Sequence, residues 1–493
     1  MALRTNGRLQ QFFQSSWFFG GSMVLFAVEA LWLIVFSRFP MIFDEAYHFE
    51  LIQFFSHRLN PIVLHEPASL YNAGAVAHSP SILYYYVLGF PFRIFEQITM
   101  TLSAQVIFLR VLNLLCALGT LFLLRKILLL VRVPRALAQA VVVLFAFTPL
   151  YTTLSAQINY DNGMLLALCV TAYVALRFDL ALRAKRMPFG LLTAVMVCCL
   201  LGSLVKYTFL PIGCAVFVTV AWRMLATWKD TPGGWPAALR TSFFAVSMRA
   251  RMWCVAALVL AGSLFTFFYG YNLVVFHNPV PQCNQILSVK DCSNYAPWER
   301  DYTLEQAQLK DTKPHALDVI SYTYVWLKTQ VYQLYAGVGP ATTRLIIPSG
   351  FYAVLATFTV LGAACCIAAG REVLKRWPAF KLLAGVSAAY LASLWARNFH
   401  DYLRFNQPVG VQGRYLLPVL MFVYAFAGVC AYQLYENSEH KHAVLQWLRP
   451  AAATIAIAAF VYFGGYVQYS SISSPVAMWQ HMISSVTLKT LPY

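Results

Sequence analysis

Runs of about 20 apolar residues recur along this chain, and they restrict its fold more than any other feature. A helix of that length matches the ~30 Å hydrocarbon core of a bilayer. Inside lipid the backbone has to satisfy its own N–H and C=O groups, and a helix does so within one segment. The first run is Trp17 to Phe36. Ten more follow at roughly 106–124, 136–154, 162–181, 189–205, 207–225, 252–273, 349–369, 382–396, 414–433 and 451–468. Of the 493 residues, 60% are hydrophobic and 11% charged, which excludes an ordinary soluble domain. Aromatics make up 16%, enough for belts of Tyr and Trp at both interfaces. The expected fold is an all-α polytopic bundle of about 11 transmembrane helices, one integral membrane domain over 1–493.

Charge sets the orientation. Arg4 and Arg8 precede the first run, which is longer than a signal-peptide core and has no small-residue cleavage site. It reads as a retained span with a cytoplasmic N-terminus. Arg125, Lys126, Arg132 and Arg135 form one basic loop, and Arg183, Lys185 and Arg186 the next. Lys229 to Arg251 and Arg371 to Lys381 follow. The positive-inside rule puts all of these in the cytoplasm. Ser81 to Phe95 is apolar enough to span, but crossing there would invert every later loop. It is therefore expected to stay on the outer side as an interfacial or re-entrant helix. Cytoplasmic segments then hold 21 Lys and Arg against 5 Asp and Glu, and outer segments 15 against 13. The formal charge of +17 thus reports membrane orientation, not a nucleic-acid surface.

The outer side carries most of the candidate chemistry. Its long segments are 37–105, 276–348 and 397–413. Cys283 and Cys292 lie in the second and are placed to form a disulfide in an oxidising compartment; the other nine cysteines fall in spans. The stretch from Ala316 to Tyr335 reads as an amphipathic surface helix with Leu317, Ile320, Trp326, Leu327, Val331 and Leu334 apolar. Glu29, in the middle of the first span, is expected to face the bundle and pair with a neighbour. Directly after that span comes Asp44-Glu45, in Phe39-Pro-Met-Ile-Phe-Asp-Glu-Ala-Tyr-His-Phe-Glu50. Carboxylates beside hydrocarbon are costly and usually carry function. Asp161 and Lys206 sit in short outer turns, and Arg414 opens a span. Lys206 has Glu29 and Asp161 as possible partners.

This arrangement resembles the GT-C membrane glycosyltransferases, especially the protein O-mannosyltransferase and aminoarabinose transferase group, glycosyltransferase family 39. Asp44-Glu45 followed by Tyr47-His48 opens a long first loop. The loop runs through His78-Ser79-Pro80 to an aromatic helix, and Arg110 opens the next span. The family turn has two prolines where this chain has Ser79-Pro80. Asp161, in Gln157-Ile-Asn-Tyr-Asp-Asn, matches the family's acid in the following outer loop, and Gln412-Gly-Arg-Tyr-Leu-Leu-Pro418 looks like a motif of related bacterial membrane proteins. The resemblance implies a GT-C-like bundle with juxtamembrane helices, taking a sugar from a polyprenyl-phosphate donor to a lipid, glycan or protein acceptor. It implies Asp44 as general base and Glu45 assisting by orienting the acceptor or stabilising charge on the sugar. Arg414, Lys206 and Arg404 are the candidates for the leaving phosphate. Asp161, His48 and Tyr47 are the candidates for sugar or acceptor. A divalent metal on His48 and Asp44 is the alternative use of that pair, since more distant GT-C enzymes employ one.

The bland reading of Asp44-Glu45 is a carboxylate cap at a helix start, and that of Arg414 an interfacial anchor. The competing function is a transporter or flippase of a lipid-linked sugar, for which broken helices and midplane polar groups are the signature. Clean spans with the acids in outer loops favour the enzyme. The closest family resemblances and the loop charges suggest a bacterial inner membrane, with the site on its outer face.

Overall fold

The computed structural model describes residues 11–37, 39–41, 44–227, 233–310, 318–336 and 349–438. Every regular element among them is helical. Six helices among the described residues are long and apolar enough to cross a bilayer: Ser16–Phe36, Leu102–Leu130, Tyr160–Arg183, Tyr207–Ala226, Met248–Phe276 and Gly413–Glu436. The Phe189–Val205 helix is apolar but shorter, and Ser349–Arg376 and Phe380–Phe405 complete the described bundle. The expected span at 451–468 lies outside the described residues.

One expected span is not a straight helix. Arg135–Ala146 and Pro149–Ser155 meet at a bend of 69°. Pro149 causes it: the ring has no N–H for the helix ladder and would collide with the carbonyl four residues back, so it starts a new helix at its first position. Ser81 to Phe95 becomes the Leu83–Glu96 helix, 14 residues and so about 21 Å long, well short of the hydrocarbon core. It packs against the Glu45–Ser56 helix through Phe49, Phe55 and Phe92.

The stripe expected on the surface helix is divided. Val319–Ala336 buries Tyr322, Trp326, Gln330 and Leu334, four residues at helical spacing, and turns Ile320 and Leu327 outward. The polar members of the buried face explain why a hydrophobic pattern misplaced it. Trp326 donates its indole N–H to Asn398, and Gln330 lies beside Gly413.

Ion pairs mark two ends of the bundle. At one end Asp179 accepts from Arg183 and Arg223, and Arg376 reaches Glu436. Asp161 lies 18 residues before Asp179 on the same helix, about 27 Å away at the other end. There a smaller apolar cluster, built on Phe49, Ile52, Leu109 and Ile158, meets the main core of the bundle. The acidic pair sits at that seam.

Candidate active site at one end of the bundle

Glu45 and Arg110 form the buried base of the site. Arg110 donates Nε to Glu45 Oε1 and Nη2 to Oε2, each at 2.8 Å. Its Nη1 donates to the carbonyls of Ile34 and Ser37 at 3.0 and 3.1 Å. Glu45 also accepts the backbone N–H of Ile158 at 3.0 Å and of Met41 at 2.6 Å. Both side chains are fully buried. The pair ties together the end of the first span, the first loop, the Leu102–Leu130 helix and the 158 turn. No face of Glu45 is left for a sugar or an acceptor, so the assisting role expected for it does not fit its surroundings. Two parallel charge-assisted bonds plus two backbone donors make it a staple.

Asp44, one residue earlier, has the opposite setting. Its φ of +65° places it in the left-handed region, unusual for a residue with a side chain. That turn separates its carboxylate from the helix that Glu45 begins. The Asp44 side chain is 59% exposed, and Oδ2 lies 3.5 Å from Arg414 Nη2.

Arg414 is held on the 3₁₀ turn Gly413–Leu416. Gly413 donates its N–H to Gln333 Oε1 at 2.7 Å, and a Cβ there would come within 2.8 Å of the Leu334 backbone. Only glycine lets the Val319–Ala336 helix approach, which gives the Gly413-Arg414 step its physical reason. The guanidinium is almost completely buried and reaches Asp161 Oδ2 at 3.9 Å. Asp161 Oδ1 accepts Lys206 Nζ. Of the two partners open to Lys206 in the sequence, the structure selects Asp161. Glu29 stays in the first span, and its Oε2 has no hydrogen-bond partner among the described residues.

Tyrosines surround the charges. Lys206 Nζ lies 4.3 Å from the Tyr160 ring and 5.0 Å from that of Tyr415, within cation–π range. His48 Nδ1 meets the Tyr85 hydroxyl at 2.8 Å, and the Tyr85 ring packs edge-on against Tyr47. Burial, with Arg414 and Lys206 nearby, holds His48 well below its usual range, so the imidazole is neutral. Burial and then the Asp44 charge push the Tyr47 phenol up.

Of the residues picked out in the sequence, Asp44, Asp161, Lys206 and Arg414 converge, with Tyr47 and His48 on their wall. Arg404 does not join them. It forms a two-point pair with Glu305, at 2.7 and 2.5 Å, tying the Ala296–Lys310 helix to Phe380–Phe405. The arginine that leans toward the site is Arg397, two turns earlier, 5.0 Å over the Tyr207 ring. Sequence reading passed over it and over Tyr85, Tyr160, Tyr207 and Tyr415. The one available signal was that Tyr160, Tyr207 and Tyr415 each adjoin a charged residue already singled out. Cys283 and Cys292 are joined, with Cα atoms 5.8 Å apart.

The side chains that the sequence offered to a divalent metal have other partners here. Asp44 and Asp161 face the same guanidinium, Asp161 also holds Lys206, and one His48 nitrogen is taken by Tyr85. Among the described residues no three His, Cys, Asp or Glu side chains group closely enough to hold one.

No family model matches this chain, and no curated protein does. Solved structures of an archaeal enzyme are similar to it. One is the Archaeoglobus fulgidus oligosaccharyltransferase tethered with an acceptor peptide containing the NVT sequon, at 12% identity and a TM-score of 0.47. Another is the oligosaccharyltransferase AglB of the same organism in complex with an inhibitory peptide and a dolichol-phosphate, at 16% identity and a TM-score of 0.46. They cover 97% and 96% of this chain, which spans 58% of the length of each. Likenesses this distant leave the chemistry to be argued from the site's own residues.

Proposed function

We propose that this protein is a membrane glycosyltransferase that moves a sugar from a polyprenyl-phosphate-linked donor to a lipid, glycan or protein acceptor. One observation carries the reading. A solvent-reaching carboxylate, Asp44, lies 3.5 Å from a buried guanidinium, and that guanidinium shares Asp161 with a buried lysine. The arrangement offers a base open to water beside two cations in a dry setting, where charge interactions are strong. Asp44 takes the proton of the acceptor hydroxyl or amine. The acceptor atom bonds to the sugar carbon as the bond from that carbon to the phosphate oxygen breaks. The lipid phosphate leaves with the electron pair, and Arg414 and Lys206 stabilise its charge. Asp161 keeps Lys206 charged and aims both cations. Basic loops at the far ends of the helices support a site on the outer face, in a bacterial inner membrane.

The test is release of polyprenyl phosphate from a panel of polyprenyl-phosphate sugars by the protein in lipid nanodiscs. Native protein should release it, and Asp44→Asn should slow release ~10²–10⁴-fold. Undiminished release by the variant removes Asp44 as base.

A second reading, a transporter or flippase of the lipid-linked sugar, draws on the 69° break at Pro149, because broken helices line transport sites. It calls for donor crossing the bilayer with no polyprenyl phosphate released.

A further inference from the structure

The loop after the Met248–Phe276 helix returns to the site and brings a residue that the proposed chemistry has not used. It carries two single-turn helices, Cys283–Ile286 and Val289–Cys292, joined by the Cys283–Cys292 disulfide. Cys292 is fully buried. Three residues on, Tyr295 donates its N–H to the Cys292 carbonyl at 2.9 Å, so its backbone is fixed against the cross-linked turn.

The ring of Tyr295 fills a slot in the first loop. A Cβ at Gly74 would lie 2.9 Å from Tyr295 Cδ1 and 3.2 Å from Cγ and Cε1. Gly74 also has a φ of +76°, so glycine suits this position for its backbone and for the space it leaves. On its other side Tyr295 meets Tyr47, with ring centroids 6.3 Å apart and planes 31° from parallel. Tyr47 packs edge-on against Tyr85 at the same separation. Burial first, and then Tyr47 and Asp44, push the Tyr295 phenol well above its ordinary range. Asp44 itself has a left-handed backbone and a mostly exposed side chain, and among the described residues its carboxylate is held by a long contact to Arg414. Tyr47, three residues along, occupies the same first helical turn, in which the His48 N–H donates to the Asp44 carbonyl at 3.1 Å.

We propose that Tyr295 is a positioning residue for the Asp44 turn: wedged between Gly74 and Tyr47 by the disulfide-braced loop, it holds that turn in its reactive conformation. The inference rests on the transferase reading for its effect on rate but not for its effect on structure. Tyr295→Ala should lower kcat by ~10²-fold, the size expected when a reactive group is misplaced by about 1 Å. The donor KM should change little, because Arg414 and Lys206 are untouched. Tyr295→Phe, which keeps the wedge, should stay within about threefold of native. Gly74→Ala should also lower kcat, by straining the backbone at its positive φ and by crowding the ring, and Cys283→Ala with Cys292→Ala should shift kcat in the same direction through the loop alone.

The decisive comparison is the combined variant. If the disulfide acts through Tyr295, removing it with Cys283→Ala and Cys292→Ala adds almost nothing to kcat once Tyr295 is alanine. Losses that multiply, or a Tyr295→Ala protein with native kcat, overturn the proposal. Hydrogen exchange at residues 44–48 supplies a readout free of activity. Protection should fall in Tyr295→Ala and persist in Tyr295→Phe; equal protection in all three proteins also overturns it. A native protein that releases no polyprenyl phosphate removes the transferase reading, and exchange then decides the positioning role by itself.

Discussion

Asp44 and Glu45 are neighbours in the chain and opposites in the fold. Glu45 is sealed, with two bonds to Arg110 and two backbone donors. Asp44 reaches solvent and has one 3.5 Å contact with a guanidinium. A single left-handed residue makes the difference by turning the two carboxylates into different surroundings. The saturated carboxylate holds four chain segments together and has nothing left to give a substrate. The exposed one keeps its oxygens available, next to the Arg414 guanidinium. Of two acids beside a membrane, the one with unmet hydrogen-bonding capacity is the better candidate for chemistry, whatever their order in a motif.

The comparison breaks most clearly at Arg110. Arg110→Leu would leave Glu45 charged and unpaired in a dry interior, which costs ~3–5 kcal/mol. Domain stabilities are of order 5–15 kcal/mol, so the expected outcome is a large fall in thermal midpoint and in the yield of monodisperse protein. An Arg110→Leu protein as stable as native would mean that the pair is not a staple. Asp44→Asn should do the reverse, keeping the native thermal midpoint while losing the release activity. If one substitution moved both readouts and the other moved neither, the division of labour between the two acids would be wrong.

Lys206→Met probes the cation side. It removes one of the two positive groups and leaves Asp161 to Arg414 alone. The loss of one preorganised donor to a developing anion typically costs ~10²–10³ in rate, and part of that should appear as weaker donor binding. Asp161→Asn should be milder in rate and should be compensated by Arg414 staying charged. A Lys206→Met protein with unchanged donor KM and kcat would move the phosphate site elsewhere, with Arg397 over Tyr207 the next group to test.

Much of this was legible in the sequence, and the parts that were not share a cause. Apolar runs gave the helices because each run satisfies its own backbone, so the signal is local. Asp44, Asp161, Lys206 and Arg414 stood out because each is a charge at the boundary of an apolar run. Arg404 looked equivalent to Arg397 by composition, yet seven residues on a helix is about 10 Å, and at that point Glu305 intercepts it. Saturation of Glu45 depends on Ile158, 113 residues away, which no local pattern encodes. The tyrosine wall is assembled from separate helices and loops. The broken helix was signalled by Pro149, but hydropathy averaged over it. The buried side of Val319–Ala336 was misjudged because its inward residues include Gln330, which a hydrophobic pattern assigns to water.

Glu66 offers the smallest and subtlest test, since it stands between the two extremes. Like Glu45 it accepts backbone N–H groups, from Val76 at 2.8 Å and Ala77 at 2.9 Å. Unlike Glu45 it has no ion pair with a Lys or Arg among the described residues. Burial raises its pKa above the usual carboxylate value, while the two N–H groups and His78 pull it back only in part. A carboxyl whose folded-state pKa is raised adds stability that is complete below its unfolded value and disappears as pH rises through the folded value. Native protein should therefore lose thermal stability from pH 4 upward at this group, while Glu66→Gln, which does not titrate, loses none there. The native midpoint minus the Glu66→Gln midpoint should shrink as pH rises, on top of an offset of ~1 kcal/mol for the altered hydrogen bonds. A difference that grows with pH would mean that the backbone donors outweigh burial, and that Glu66 belongs with Glu45 as a sealed carboxylate needing no cation.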